Sequence, residues 1–363
     1  MLRLGSLLWL AALGGASACG SGAPAEPECD RSWAERPPSV SGRIYRDGDG
    51  SDDSLYACGY DRSDRYIEGL EVVLRGSAGQ WSSTTCHDGS FGFGGLDAGL
   101  YQIEPRLAAG ALVTTANRPT RLPAALDAGR LHVLALGDSL PVEGDAVRFP
   151  QRLAERLQAL AAVTLDNVAV GGSTSAEWLP DGWYFGERIE PLIDQADLVL
   201  VSLGGNDILE WADAKFSAGD FDDIEAEFDA LLDAVLDNVR TIVHALRQHN
   251  PDVDVLYLIY PNYAVSQRWA EWVGPFQDFV SDMLAAGIER MRTEIAPAER
   301  IGLIDIYGAV AARELALDAL LADELHFNAA GHALVADEAL KALGIARIGA
   351  EPLGSELTFG VIE

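Results

Sequence analysis

Five residues between positions 139 and 326 have the types and spacing for acyl chemistry. Ser139 stands in VLALGDSLP (133–141), directly after an apolar run. A sharp strand-to-helix turn there turns the hydroxyl outward and leaves the serine N–H free for an oxyanion. Gly172, in NVAVGGSTS (167–175), lets the backbone approach a substrate closely and exposes another N–H. Asn206, in SLGGNDIL (202–209), can donate its amide hydrogen to a developing oxyanion. Asp323 precedes His326 by three residues in DELH, so one turn of chain brings its carboxylate to a ring nitrogen, fixing the tautomer and stabilising the imidazolium. Each signal alone has an ordinary reading: a serine helix cap, a glycine turn, an Asx turn, an incidental surface pair. Together they supply nucleophile, base, orienting acid and oxyanion donors.

Elimination narrows the base. The chain has six histidines. His87 falls in an N-terminal β region, His132 begins a strand at the wrong end, and His244 and His249 close a long amphipathic helix. His332 sits inside the last helical pattern without a preceding carboxylate, which leaves His326. The G-x-S-x-G serine motif of α/β-hydrolase lipases is absent from the sequence.

The elements that must position these groups are legible from residue 131 onward. Near-continuous apolar runs at 131–136, 163–170, 197–203, 254–260 and 301–306 read as buried parallel strands. Helical patterns at about 150–161, 222–248, 273–296 and 329–344 alternate with them. That alternation predicts a three-layer α/β/α domain on a parallel five-stranded sheet, over residues 130–346, with reactive groups at the carboxyl ends of the strands. Residues 347–363 read as a C-terminal tail.

The four blocks, in this order and spacing over residues 131–345, resemble the GDSL (SGNH) hydrolases, whose fold is flavodoxin-like. The resemblance assigns their four lettered residues to Ser139, Gly172, Asn206 and His326. It implies attack by the serine, an oxyanion hole from the Ser139 and Gly172 N–H groups and the Asn206 side chain, and Asp323 orienting His326, with no cofactor. Pro141 departs from the Thr or Ser common in that family. The activity implied is carboxylic ester hydrolysis. An acyltransferase or thioesterase with the same triad is the near alternative, and a non-catalytic surface binding or adhesion protein the distant one. Trp178, Trp183, Trp211, Trp269 and Trp272, with Tyr184, Phe185 and Tyr263, follow strand ends, and read as core or as an acyl or sugar platform. Glycan-linked and lipid-linked acyl esters both remain open.

Residues 39–126 read differently, as short strands punctuated by Gly and Asp, the signature of a small all-β sandwich. The segment resembles the B-repeat and transthyretin-like modules of bacterial surface proteins. That resemblance implies a Ca2+ site in the acidic loop of Asp47, Asp49, Asp52 and Asp53, since carboxylate oxygens suit a hard cation; a solvated acidic turn is the other reading. Residues 1–19 read as a signal peptide, with Arg3, an apolar stretch and Ala16-Ser17-Ala18 before Cys19, a lipobox-like arrangement that implies lipidation and membrane attachment there; simple cleavage and release as a secreted or periplasmic protein is the other reading. Residues 20–38 form a Gly/Pro/Ala-rich tether. Of four cysteines, Cys58 and Cys86 share the β module and are the expected disulfide in an oxidising compartment.

Composition sets the outer limits. Hydrophobic residues make up 48% of 363, enough for a sizeable core. A net charge of −30, without Lys/Arg clusters, argues against a nucleic-acid partner.

Overall fold

The computed structural model describes residues 32, 36, 39–46, 65–106, 112–113, 121–144, 147–219, 221–299, 301–348 and 356–362. The leader, most of the tether, the acidic loop with Asp47, Asp49, Asp52 and Asp53, and the cysteines Cys19, Cys29 and Cys58 fall outside them.

The N-terminal strands are β1 (Ser39–Arg46), β2 (Arg65–Tyr66), β3 (Glu71–Gly76), β4 (Gly79–Thr84), β5 (Ser90–Gly94), β6 (Gly99–Pro105) and β7 (Leu112–Val113). The β3–β4 pair turns tightly at Gly79 and β6 joins β3 antiparallel, while β1 takes β2 and β5 antiparallel. Val40, Ile44, Phe91 and Phe93 from one sheet and Val72, Leu74, Tyr101 and Ile103 from the other form a shared apolar interior.

The chain then runs α1 (Leu122–Asp127), β8 (Arg130–Gly137), α2 (Phe149–Leu157), β9 (Ala162–Asn167), α3 (Glu190–Ile193), β10 (Leu198–Ser202), α4 (Gly205–Ala218), α5 (Ile224–His249), β11 (Asp254–Ile259), α6 (Gln267–Val273), α7 (Gln277–Glu299), β12 (Ile301–Asp305), α8 (Ile306–Ala312) and α9 (Ala329–Ala342). Strands β8 to β12 make the expected parallel five-stranded sheet in the order β12-β11-β10-β8-β9. Successive strand residues point to opposite faces. Leu134, Leu136, Val199, Val201 and Tyr257 therefore join the core under α5 and α7, while Val133, Ala135, Leu198, Leu200 and Leu256 join the core under α2 and α9. This is the three-layer α/β/α arrangement read from the sequence.

The chain does not end in a simple tail. After α9, β13 (Ile345–Ile348) pairs antiparallel with β6, and β14 (Glu356–Ile362) lies between β1, to which it is parallel, and β7. Leu100 of β6 shares a core with Leu131 and Ile345, and Arg31–Glu363 forms one compact unit. Backbone pairing drives this return: β1 and β6 would otherwise present unpaired N–H and C=O groups.

Candidate active site

The sheet order decides which loops meet. β8 is the first strand of the parallel sheet, and β9 and β10 flank it on either side, so the chain reverses direction across the sheet there. The crevice at the carboxyl ends of such a switch is the usual site in open α/β sheets. Register sets Ser202 beside Gly137, so the loops carrying Ser139 and Asn206 leave the sheet side by side.

Gly137 makes the turn before Ser139 possible. Its φ is +124°, and a Cβ there would run into the Ser202 backbone, so an L side chain is excluded twice over. The Ser139 carbonyl then accepts from the N–H groups of Val142 (2.9 Å) and Glu143 (2.7 Å), which closes a helical turn behind it. Beneath the serine, Asp138 is buried; its Oδ1 accepts from Ser202 Oγ (2.7 Å) and the Leu140 N–H (3.1 Å), and its Oδ2 from the Tyr260 hydroxyl. Burial pushes the Asp138 carboxyl up to about 6, against the opposing pull of those donors and of His326.

Asp323 and His326 are paired as the spacing implied. Asp323 Oδ2 lies 2.8 Å from His326 Nδ1, and Oδ1 accepts the N–H groups of Leu325 (2.9 Å) and His326 (2.7 Å). Burial raises the Asp323 carboxyl, but the His326 and Leu325 N–H groups and the imidazole outweigh it, so the net direction is down. A carboxylate only accepts, so Nδ1 carries the proton and Nε2 is the acceptor of the neutral ring. Two neighbours from α6 hold this loop: Trp269 Nε1 donates to the Glu324 carbonyl (2.8 Å) and Arg268 Nη1 to that of Ala322 (2.9 Å).

Gly172 has φ +79°, a backbone conformation that favours glycine, and no atom lies within 4 Å of a hypothetical Cβ there. Asn206, in the first turn of α4, spends one amide hydrogen on the Ser173 carbonyl (2.9 Å), which ties it to the Gly172 loop; among the described residues its second hydrogen has no acceptor. Ser173 Oγ in turn donates to the Gly137 carbonyl (3.1 Å) and accepts from Trp178 Nε1 (2.8 Å). One network thus fixes the loops after β8, β9 and β10 relative to each other.

Sequence reasoning missed Glu143. Its carboxylate lies 3.4 Å from His326 Nε2 and fills the space a Gly171 side chain would need, while a Gly171 Cβ would also come within 3.8 Å of Ser139 Cβ. Ser139, Gly171, Glu143 and His326 therefore share one neighbourhood. Among the described residues no hydrogen bond joins Ser139 to His326; Nε2 faces Glu143 instead. The only signal in the sequence was its place one helical turn after the serine. The aromatic set divides: Trp178 and Phe185 are fully buried core, Trp183 is 63% exposed, and Tyr263 stacks on Trp269 (5.9 Å, 20°) beside the pocket at Ser139. Of the histidines set aside, His132 bonds Asp166 (2.6 Å) and His332 is buried behind the Glu143 carbonyl (3.2 Å).

A three-layer α/β/α domain with a glycine-dependent serine turn after its first strand and a late Asp/His pair is one class of architecture. Residues 135–334, more than half of the chain, match the GDSL-like Lipase/Acylhydrolase family. The chain belongs to that family. No curated protein matches it. Among solved structures it is similar to a lipase from a goat rumen metagenome (22% identity, 58% of this chain and 97% of that one, TM-score 0.47). It is also similar to an acetylxylan esterase from Geobacillus stearothermophilus (17%, 61% and 97%, TM-score 0.39). A third is an alpha/beta hydrolase enzyme from the metagenome of Lake Arreo, Spain (18%, 59% and 95%, TM-score 0.40).

Proposed function

We propose that this chain is an exported carboxylic ester hydrolase in which Ser139 is the nucleophile, His326 the base and Asp323 the acid that orients it. Ser139 Oγ attacks the acyl carbon while His326 Nε2 takes its proton. The ester C–O bond breaks as the imidazolium returns that proton to the departing alcohol. Water then repeats the sequence on the acyl-enzyme, releasing the acid and the free serine. The Ser139 N–H, the Gly172 N–H and the second amide hydrogen of Asn206 stabilise the oxyanion of each tetrahedral intermediate. An alcohol in place of water would make the same steps a transfer.

The observation that carries this reading is the 2.8 Å contact between Asp323 Oδ2 and His326 Nδ1, which leaves Nε2 as the ring's acceptor in the neighbourhood of Ser139. Catalysis on this route needs no cofactor. The proposal extends to an anchored enzyme: removal of the 1–19 leader, lipid on Cys19, a Cys58–Cys86 disulfide, and a B-repeat or transthyretin-like N-terminal module whose acidic loop (Asp47, Asp49, Asp52, Asp53) takes a structural Ca2+. The test is hydrolysis of p-nitrophenyl esters beside covalent labelling by a fluorophosphonate. Ser139→Ala is expected to abolish labelling and lower kcat by about 10⁴-fold or more with an unchanged melting temperature. A variant that keeps a tenth of the activity overturns the assignment.

A further inference from the structure

An apolar slot runs inward from Ser139 and Asn206, beneath α4 and between α5 and α7. Leu209 of α4, Phe228 and Leu232 of α5, and Leu284, Ile288 and Met291 of α7 line its walls. Of the three tyrosines that line it, two have spent their hydroxyls: Tyr257 donates to the Leu203 carbonyl (2.5 Å) and Tyr260 to Asp138, while Tyr263 stacks on Trp269. Apart from the groups at the serine and the Tyr263 hydroxyl, the slot therefore offers a ligand hydrocarbon. A sugar, with several hydroxyls, would lose water on entering it and leave most of them without partners. Apolar spaces of this kind stay dry and accept apolar guests.

The roof is loosely seated. α4 has one buried residue, Ala212, whereas Ile208, Leu209 and Trp211 pack on the core while remaining partly exposed. Below, α5 and α7 approach so closely that a Cβ on Gly287 would lie 2.8 Å from the Phe228 ring and 3.0 Å from Leu232, which makes that crossing the floor. From Leu284 to Met291 the α7 lining residues span seven steps of the helix, roughly 10 Å of its axis, the extended length of an acyl chain of about eight carbons.

Resting on the Ser139 reading above, we infer that the acyl half of the substrate is a linear medium chain, threaded from the serine under α4 to the α5–α7 crossing. The substrate class is then a medium-chain acyl ester, with an acetylated glycan disfavoured. Each buried methylene multiplies kcat/KM by about fourfold, so an octanoyl ester should exceed an acetyl ester by on the order of 10³.

The experiment measures kcat/KM of the full chain on p-nitrophenyl esters from two to sixteen acyl carbons, for the native chain and Leu209→Trp. Leu209 is half-buried on the roof, so the indole can be carried without opening the core. The expected result is a rise to about eight carbons, a plateau or fall beyond, and an octanoyl-to-acetyl ratio at least tenfold lower in Leu209→Trp. A native preference for acetyl, or a ratio that the variant does not move, overturns the slot. A short ethyl fluorophosphonate separates the two readings. Labelling of Ser139 with a flat chain-length profile removes the slot and keeps the serine, whereas no labelling of Ser139 removes both.

Discussion

The Glu143 carboxylate stands 3.4 Å from His326 Nε2, the nitrogen that has to receive the Ser139 proton. His326 is thus flanked by carboxylates on both ring nitrogens, Asp323 on one side and Glu143 on the other. The two contacts differ in what they do for the reaction. Asp323 accepts the Nδ1 proton and orients the ring, while Glu143, a carboxylate with no proton to give, lies against Nε2 where the serine hydroxyl has to reach.

Glu143→Gln is therefore expected to raise kcat/KM. Glu143 is exposed and its charge is screened, so the gain is about two- to fivefold, largest at low ionic strength and fading in 0.5 M salt over the Debye length. Steady-state kinetics at two salt concentrations checks it. A loss of activity would instead make Glu143 a partner of the imidazolium in the transition state.

Asn206→Ala is expected to lower kcat by about 10²-fold with little change in KM, because an oxyanion donor acts on the transition state. The alanine also releases the Ser173 carbonyl from its 2.9 Å bond, which links the Gly172 loop to α4. A pure KM effect would move Asn206 from oxyanion stabilisation to substrate binding.

Which parts were legible in the sequence follows from how local their causes are. The five parallel strands are buried on both faces, so Leu198–Ser202 and Asp254–Ile259 are apolar almost without interruption. Asp323 and His326 meet within three residues, so their contact needs no long-range information. α4 was missed because it opens on two glycines, Gly204 at φ +103° and Gly205, and its apolar residues are only half-buried. Glu143 was missed because its partner comes 183 positions later in the sequence. The β14 strand was missed for the same reason, since its register Ser41↔Glu356 joins opposite ends of the chain.

That pairing makes a stability prediction. Deleting residues 356–362 removes the strand between β1 and β7 and bares the β1 edge, whose Val40 and Ile44 belong to the N-terminal core. The expected outcome is a melting temperature lower by roughly 5 °C and a tendency to aggregate through the exposed edge. Specific activity of the folded fraction should be retained, because every group assigned to the reaction lies within residues 139–326. Calorimetry with light scattering checks the first part, and an unchanged melting temperature would mean that β14 contributes nothing to the fold.

Asp138, next to Ser139, is a buried acid. Burial raises its carboxyl from 3.8 to about 6, even though Tyr260, Ser202 and the Leu140 N–H all donate to it. A carboxyl whose folded value lies above its unfolded one holds its proton more tightly in the folded state. Between about pH 4 and pH 6 the folded chain therefore binds more protons than the unfolded chain, and stability falls as pH rises through that window. The loss persists above it and amounts to at most about 3 kcal/mol, from roughly two units at about 1.4 kcal/mol each. Asp138→Asn carries no ionisable group there, so its unfolding free energy should lack this part of the decline. Urea unfolding of both proteins at pH 4.5 and pH 7.5 reads the difference directly. The asparagine variant is expected to be less stable than the native chain at pH 4.5, where the Asp138 carboxyl is protonated, and to close that gap at pH 7.5. A gap of equal size at both values would show that the Asp138 carboxyl titrates alike in the folded and unfolded states.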